Sequence, residues 1–486
     1  MSKKMIVSGA TVLILAGIYA GATFYTGNQI QKQMPVMIEN ANLYLQAKNI
    51  PYTLVVSDVK QGFFSSQAKL TLQSEQMPEL SFDVTTKNGP LPGFSQFGMV
   101  AFEATLNDDA SLKEIFETAQ APILVTADGR ISFAGDLNMG IAISPLGKSI
   151  GMNELDINSD KITLAIDYQK NNTFTWQAST PKLSLTQLIN RVQSSLVLEG
   201  ITLSGENKPN ASGLNDVVHS IKLDKVDLIN GAEPRFSGKL ANLQATSTLT
   251  SKDELAGASY KIDAKDIKFG NIEFNELNLL AAITNMPVSS LAEQNQFAAY
   301  FMPMILNQAT TLNDEAVLST HPKLDISSLE MSNQKGLLAG QASVEFNVAK
   351  KPEASTRNAE ALLKGLPLSS ALIDVKADKS FLTDFISQFN QMNLGIEKEK
   401  ALKSAEEMLA SILEMSQLYG GILNANDTQV TFNLSIENGV GKLNQAPLTE
   451  QRMGQLLGVM FAPSPFKTKE VAPITDEDVS DTPAVE

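Results

Sequence analysis

The chain has no cysteine, one tryptophan and two histidines in 486 residues. Without cysteine there are no disulfides, zinc–thiolate sites, iron–sulfur clusters or thiol nucleophiles. Such a lack is compatible with an oxidising compartment, where a large domain needs no staples and stray thiols mispair. The two histidines, His219 and His321, lie far apart, and neither has a second histidine or a carboxylate cluster at ligand spacing. Both read as ordinary solvated or capping residues, and no serine has a partner histidine at a spacing that suggests a triad. Positive charge is also scarce. Lys and Arg number 38 against 53 Asp and Glu, for a net charge of −15 and an isoelectric point near 4.8. A negative surface without a basic patch repels phosphate backbones, so nucleic acid is not an expected partner.

Hydrophobic residues make up 43% of the chain, charged residues 19%, and mean hydropathy is −0.05. That is globular composition, in a chain too long for one compact core; it implies two or three domains or one elongated sheet. The longest apolar run is Met5–Tyr25, uncharged and preceded by Lys3 and Lys4. About 20 apolar residues match a bilayer's hydrocarbon thickness, and the lysines favour the cytoplasmic side. The alternative is a cleaved signal peptide with Ala20-Gly21-Ala22 as cleavage site. Against it, the apolar core exceeds the usual length, and Phe24-Tyr25 extend it past the cut. A retained anchor is the expectation, with everything from about Asn28 exported. Within the span, Gly17 and Gly21 are four apart, a spacing that lets two helix backbones approach and favours a homodimer.

Beyond an amphipathic linker-helix over about Gln29–Lys48, the pattern takes a period of two. Ala68-Leu70-Leu72, Leu80-Phe82-Val84, Leu137-Met139-Ile141-Ile143, Ile162-Leu164-Ile166-Tyr168 and Phe174-Trp176-Ala178 alternate with polar neighbours. So do Tyr260-Ile262-Ala264, Leu277-Leu279-Ala281-Ile283, Ala342-Val344-Phe346-Val348 and Val430-Phe432-Leu434-Ile436. Such alternation predicts half-buried antiparallel strands with one wet face. Asn88-Gly89, Asp128-Gly129, Asn230-Gly231 and Asn438-Gly439 read as turns. Helices are expected at Ser289–Gln308, where Pro303 kinks or ends the run, and at Lys379–Asn393 and Glu397–Tyr419. In the last, Leu402, Ala405, Leu409, Ile412, Met415 and Tyr419 follow three-to-four spacing, and Gly420-Gly421 supplies the stop. Ser220–Thr250 and Ser259–Thr284 echo each other without a fixed period, as serial hairpins along one sheet would.

The fold expected is mainly β (α+β): an N-terminal transmembrane helix, then an extended antiparallel sheet with interspersed helices. Its divisions are a cytoplasmic stub and anchor over residues 1–27, a β-rich region over 28–285 and an α+β region over 286–465. An acidic tail without apolar periodicity occupies 466–486 and reads as disordered.

One string, Ala142-Ile143-Ser144-Pro145-Leu146-Gly147-Lys148-Ser149, has the outline of a P-loop with Ala in place of the first glycine. A working P-loop runs from a buried strand straight into a helix whose N-terminus cradles phosphate. Here Pro145 removes an N–H, and Gly151 and Asn153 precede another strand pattern. A turn with an incidental lysine is the better reading, and no nucleotide or other cofactor is expected. Asp108-Asp109 reads as a helix N-terminus. No catalytic constellation emerges, so an enzyme is not expected. Phe63 and Phe64, beside Gly62, form an aromatic pair that is either a docking spot or the anchor of a strand's core face.

Several segments resemble the YdgA-like family of bacterial envelope proteins. They are the basic N-terminal span, Gln61-Gly62-Phe63-Phe64-Ser65-Ser66, Asn88-Gly89-Pro90-Leu91-Pro92, and Ile436-Glu437-Asn438-Gly439-Val440 with Leu443-Asn444. The family usually carries a basic or aromatic residue where Gln61 or Asn88 stands. The resemblance implies a self-associating inner-membrane protein whose large C-terminal part faces the periplasm, with no catalytic residues to carry over. Ile267–Leu280 is similar to strings in the β-rich AsmA-like envelope proteins, which implies a link to lipid transport between membranes. Together with one-sided strands and a tether, this makes membrane lipid the expected partner. The alternative is a dimeric scaffold or partner-binding module.

Overall fold

The computed structural model describes residues 38–39, 42–43, 45–46, 51–62, 65–74, 79–88, 100–106, 125–150, 155–189, 192–288, 318–347, 368–449 and 451–453. Met5–Tyr25 with Gly17 and Gly21, Phe63 and Phe64, Asp108-Asp109, Ser289–Gln308 and the acidic tail lie outside them. Among the described residues no helix is long and apolar enough to cross a membrane.

Strands dominate. The first nine are β1 (Thr53–Gln61), β2 (Ser65–Gln73), β3 (Leu80–Asn88), β4 (Val100–Leu106), β5 (Val125–Ile131), β6 (Leu137–Ile143), β7 (Leu146–Ile150), β8 (Leu155–Ser159) and β9 (Ile162–Tyr168). Longer strands follow: β10 (Phe174–Ile189), β11 (Val192–Lys208), β12 (Asp216–Ile229), β13 (Gly238–Lys252), β14 (Leu255–Phe269) and β15 (Ile272–Pro287). Then come β16 (Lys323–Ser332), β17 (Leu337–Phe346), β18 (Leu368–Asp378), β19 (Asn424–Ala425), β20 (Gln429–Glu437), β21 (Val440–Leu443) and β22 (Ala446–Pro447). All join one antiparallel sheet. Neighbours follow chain order from β1 to β6; β6 then pairs β9, and the ladder runs on through β10 to β18, then β20, β21 and β22. Helices α1 (Lys379–Leu394) and α2 (Lys398–Leu418) form a hairpin between β18 and β19.

Directly paired residues share a face of the sheet, so the register can be followed as rows. One row reads Ala68, Val84, Ala104, Ala127, Ile141, Leu164, Ala178, Leu203, Ile221, Ala245, Ile262, Leu279, Leu329, Gly340, Val375 and Phe432 from β2 to β20. Every member is apolar or glycine. The row explains why short alternating motifs scattered over the sequence assemble into one face.

From β6 to β15 the alternation slips by one residue, at the β6–β7 and β8–β9 junctions and partway along each longer strand. Leu196 and Leu198 give way to Ile201 and Leu203, Leu240 to Leu243, Ala264 to Ile267, and Phe274 to Leu277. These slips line up across the sheet. They pass through Pro145, Pro181, Gly200 (φ 63°), Asp224, Asn242 (φ 51°) and Asp266 (φ 49°), where the pairing is broken or shifted. A bulge inserts one residue and bends the strand, and here it also restores the apolar side chains to their face. Gly200 is required twice over. Its φ is positive, and a Cβ there would lie 2.0 Å from the Asp224 carboxylate.

The expected strands are present, with Val348 outside the described residues, and both C-terminal helices form. Asn438-Gly439 makes the β20–β21 turn with φ of 49° and 79°. Asp128-Gly129 is not a turn. It lies within β5, and Gly129 is paired with Phe102, whose ring covers it; a Cβ would come 2.4 Å from Phe102 Cζ. Glycine serves there as the floor for a cross-strand aromatic. The stripe expected on α2 is also split. Ala401, Ala405 and Leu409 are buried, whereas Leu402, Met415 and Tyr419 are exposed, because among the described residues α2 packs chiefly on α1 and that contact is narrower than the apolar stripe.

The free edges are blunted. Asn42 acts on β1 as a neighbouring strand would: its side-chain oxygen accepts from Leu54 N–H (2.7 Å) and its amide donates to Leu54 C=O (3.2 Å). At the other end β21 and β22 are short, and Pro447 lacks an N–H. Replacing Gly200 with alanine should destabilise the protein by about 1–3 kcal/mol, read as a lower denaturation midpoint. An unchanged midpoint would mean that the bend tolerates a side chain.

Candidate functional site

The two halves of the apolar face differ in how well they are covered. On β1–β9 it is a closed core. Leu45, Tyr52, Leu54, Leu72, Phe82, Phe102, Met139, Ile141 and Ile166 are each 5% exposed or less, and Trp176 packs at the border. From β11 to β20 the same rows are mostly half-buried, and at β12 they open: Ile221 is 42% exposed and Leu228 39%. Away from the bulge positions Asp224 and Asp266, no paired Asp, Glu, Lys or Arg occupies this face on β10–β18 or β20; the charged residues alternate onto the opposite face.

Cover exists at the two ends of these strands. At one, α1 stacks Phe381 and Phe385 on Phe274 of β15, with ring centroids 6.2 and 6.0 Å apart. Gln388 accepts from the Glu273 N–H at 2.7 Å, and Asn333 donates to Asp384 at 3.0 Å. Burial holds the Asp384 carboxyl above its ordinary range, opposed by Lys335 and Lys398. At the other end Leu249, Ala256, Ala258, Ile283 and Met286 form a small core with Leu214 and Val288. Between these ends the row from Leu203 to Phe432 crosses the sheet, and at about 4.8 Å per strand it extends roughly 40 Å.

Next to it runs a second row, Ile166, Trp176, Gly205, His219, Ser247, Tyr260, Ala281, Ile326, Ala342, Ile373 and Leu434. Trp176 lies over Gly205, where a Cβ would come 2.2 Å from the indole Nε1. Its ring centroid is 6.3 Å from that of His219. His219, Ser247 and Tyr260 then interrupt the apolar surface on three adjacent strands. His219 is exposed; Ser247 and Tyr260 are half-buried. Burial pushes the Tyr260 phenol up to about 12, so the hydroxyl keeps its proton at any physiological pH. Asn207, diagonal to His219, has a buried side-chain oxygen with no hydrogen-bond partner.

Other polar groups on this face are satisfied by turns: Ser251 donates to Leu214 C=O at 2.9 Å, and Ser194 accepts from Gly231 N–H at 3.2 Å.

Of the residues singled out from sequence, Gly17, Gly21, Phe63 and Phe64 lie outside the described residues. The P-loop-like string runs from β6 through Ser144-Pro145 into β7, so a strand and not a helix follows it. His321 (φ 54°) precedes β16, with Nδ1 3.7 Å from Glu345. His219 lies inside β12 on the apolar face. The signal was its place in the alternation Val217-His219-Ile221-Leu223. Asn207, Ser247 and Tyr260 were not singled out as site residues, because each looks unremarkable in its own strand and they meet only through register.

Residues 1–451 match a family described as bacterial protein of unknown function (DUF945). The chain is similar to Protein YdgA of Escherichia coli (strain K12), 22% identical over 491 residues that cover 91% of this chain and 94% of the relative. It is also similar to Uncharacterized protein YihF of the same strain, 22% identical over 457 residues that cover 86% and 91%. No solved structure matches.

Because Trp176 is the sole tryptophan, it reports on this row. Gly205→Ala should push the indole out of its seat, shift its emission to the red and cost about 1–3 kcal/mol of stability. Unchanged emission would show that the ring does not rest on Gly205.

Proposed function

The chain belongs to the DUF945 family of bacterial proteins, and from that premise we propose a non-enzymatic envelope protein that holds lipid acyl chains on the open half of its sheet. A retained helix over Met5–Tyr25 ties it to the inner membrane with the sheet in the periplasm, and Gly17 and Gly21 pair two copies in the bilayer. One observation carries the lipid reading: the apolar row from Ala68 to Phe432 passes without a charged residue from a closed core into half-open strands over β11–β20. An acyl chain laid on such rows trades water for hydrocarbon on both sides of the contact. Left bare, each large aliphatic side chain forgoes on the order of 1 kcal/mol of burial.

The scaffold reading draws on a different feature. Met415, Leu418 and Tyr419 leave apolar side chains exposed at the C-terminal end of α2, of the kind that marks a protein contact.

Photo-crosslinking from the sheet separates the two. Probes at Ile262, Leu279 and Val344 should capture lipid, while a probe at Ile141, 3% exposed within the closed core, should not. Capture of protein alone at the open positions would favour the scaffold. Topology has its own check: a phosphatase fused after Met460 should be active, and an inactive, well-expressed fusion would refute periplasmic exposure.

A further inference from the structure

We propose that His219, Ser247 and Tyr260, with Asn207, form a polar station that fixes the glycerol end of a neutral, ester-linked glycerolipid carrying a free hydroxyl, such as a diacylglycerol. This rests on the acyl-chain reading above and adds where the lipid's polar end sits and what kind of lipid fits. A polar side chain on an apolar face is unfavourable unless something satisfies it, and at the ends of these strands the turns do so. In the middle of the sheet the side chains of His219 and Ser247 have no hydrogen-bond partner among the described residues, and the Asn207 oxygen is buried without one. Three of these side chains fall on consecutive strands in strict register, Asn207 is diagonal to the first, and the group coincides with the most open part of the face.

The donors and acceptors define the ligand. The imidazole N–H of His219 and the hydroxyls of Ser247 and Tyr260 can donate to carbonyl oxygens, and the Asn207 oxygen requires a donor. An acyl ester next to a free glycerol hydroxyl supplies both. Phosphate or a free carboxylate is a poor match, because no lysine or arginine lies on this face to accompany a buried anion. The adjoining Leu203–Ile221–Ala245–Ile262 row offers the acyl chains a track leading away from the polar group. Gly205, without a side chain, and Trp176 border the station on the side of the closed core.

Trp176 provides the test, since a brominated acyl chain quenches an indole only on contact. The detergent-solubilised full chain is titrated with three brominated-chain lipids: a diacylglycerol, its dialkyl-ether analogue and phosphatidylcholine. The expected result is saturable quenching by the diacylglycerol, with the ether analogue and phosphatidylcholine each weaker by roughly fivefold or more, about one hydrogen bond's worth. Ser247→Ala and Tyr260→Phe, which preserve packing, should each bring diacylglycerol binding down toward that of the ether; Asn207→Leu should do the same. Equal quenching by all three lipids, or variants that keep the ester preference, would overturn the polar station and leave the acyl-chain reading standing. Absence of quenching by any lipid, with lipid crosslinks also absent at Ile262, Leu279 and Val344, would overturn both.

Discussion

Everything in this fold depends on cross-strand register. A strand's side chains alternate with a period of two, so a slip of one residue would move its apolar set to the wet face. The row from Ala68 to Phe432 holds that register from β2 to β20, through hairpins of different lengths and through strands as short as β4 and as long as β11. The aligned bulges are the sharpest expression of the constraint. An insertion in one strand alone would break the row, whereas insertions at matching places in successive strands bend the sheet and keep one apolar face.

That face has two fates. Around β1–β9 it is sealed, with Leu45 from the segment before β1 lying in the core and Asn42 occupying the edge. Aromatics set over glycines, Phe102 on Gly129 and Trp176 on Gly205, fill the floor where a second side chain would collide. Beyond Trp176 the chain uses the same pairing rules with longer strands, and α1 reaches the face at one end. The rows between α1 and the small core at Leu249 and Ile283 keep their side chains half in solvent. A sheet so consistently free of charge on one side, and so consistently charged on the other, has a defined inside even where that inside is open.

The polar interruption at His219, Ser247 and Tyr260 gains its meaning from that background. One hydroxyl on a strand says nothing, but a contiguous polar group on neighbouring strands, in a face otherwise uncharged and apolar, marks a place set apart from the hydrocarbon around it. It also sits where Ile221 is most exposed, so openness and polarity coincide. The end of the sheet held by α1 is different: there Gln388, Asn333 and Asp384 bond to one another or to backbone, and the polar groups serve the packing of the helix.

The sequence by itself determined the class of structure and its secondary elements. The period-two runs, Asn438-Gly439 and the stop at Gly420-Gly421 are local signals, set by alternation and by residues that tolerate positive φ. It also determined the absence of cysteine chemistry and the helix-incompatible context of Pro145. What only the tertiary structure decided was anything carried between strands. Asp128-Gly129 has the composition of a turn, but a ring from β4 needs that space. The α2 stripe is apolar on all its expected positions, but only the part facing α1 is buried. His219 and Tyr260 are separated by 41 positions in the chain, and nothing local links them. Their meeting depends on the summed lengths of two hairpins and on bulges placed so that the faces still agree, which is information held in pairing and not in any single strand.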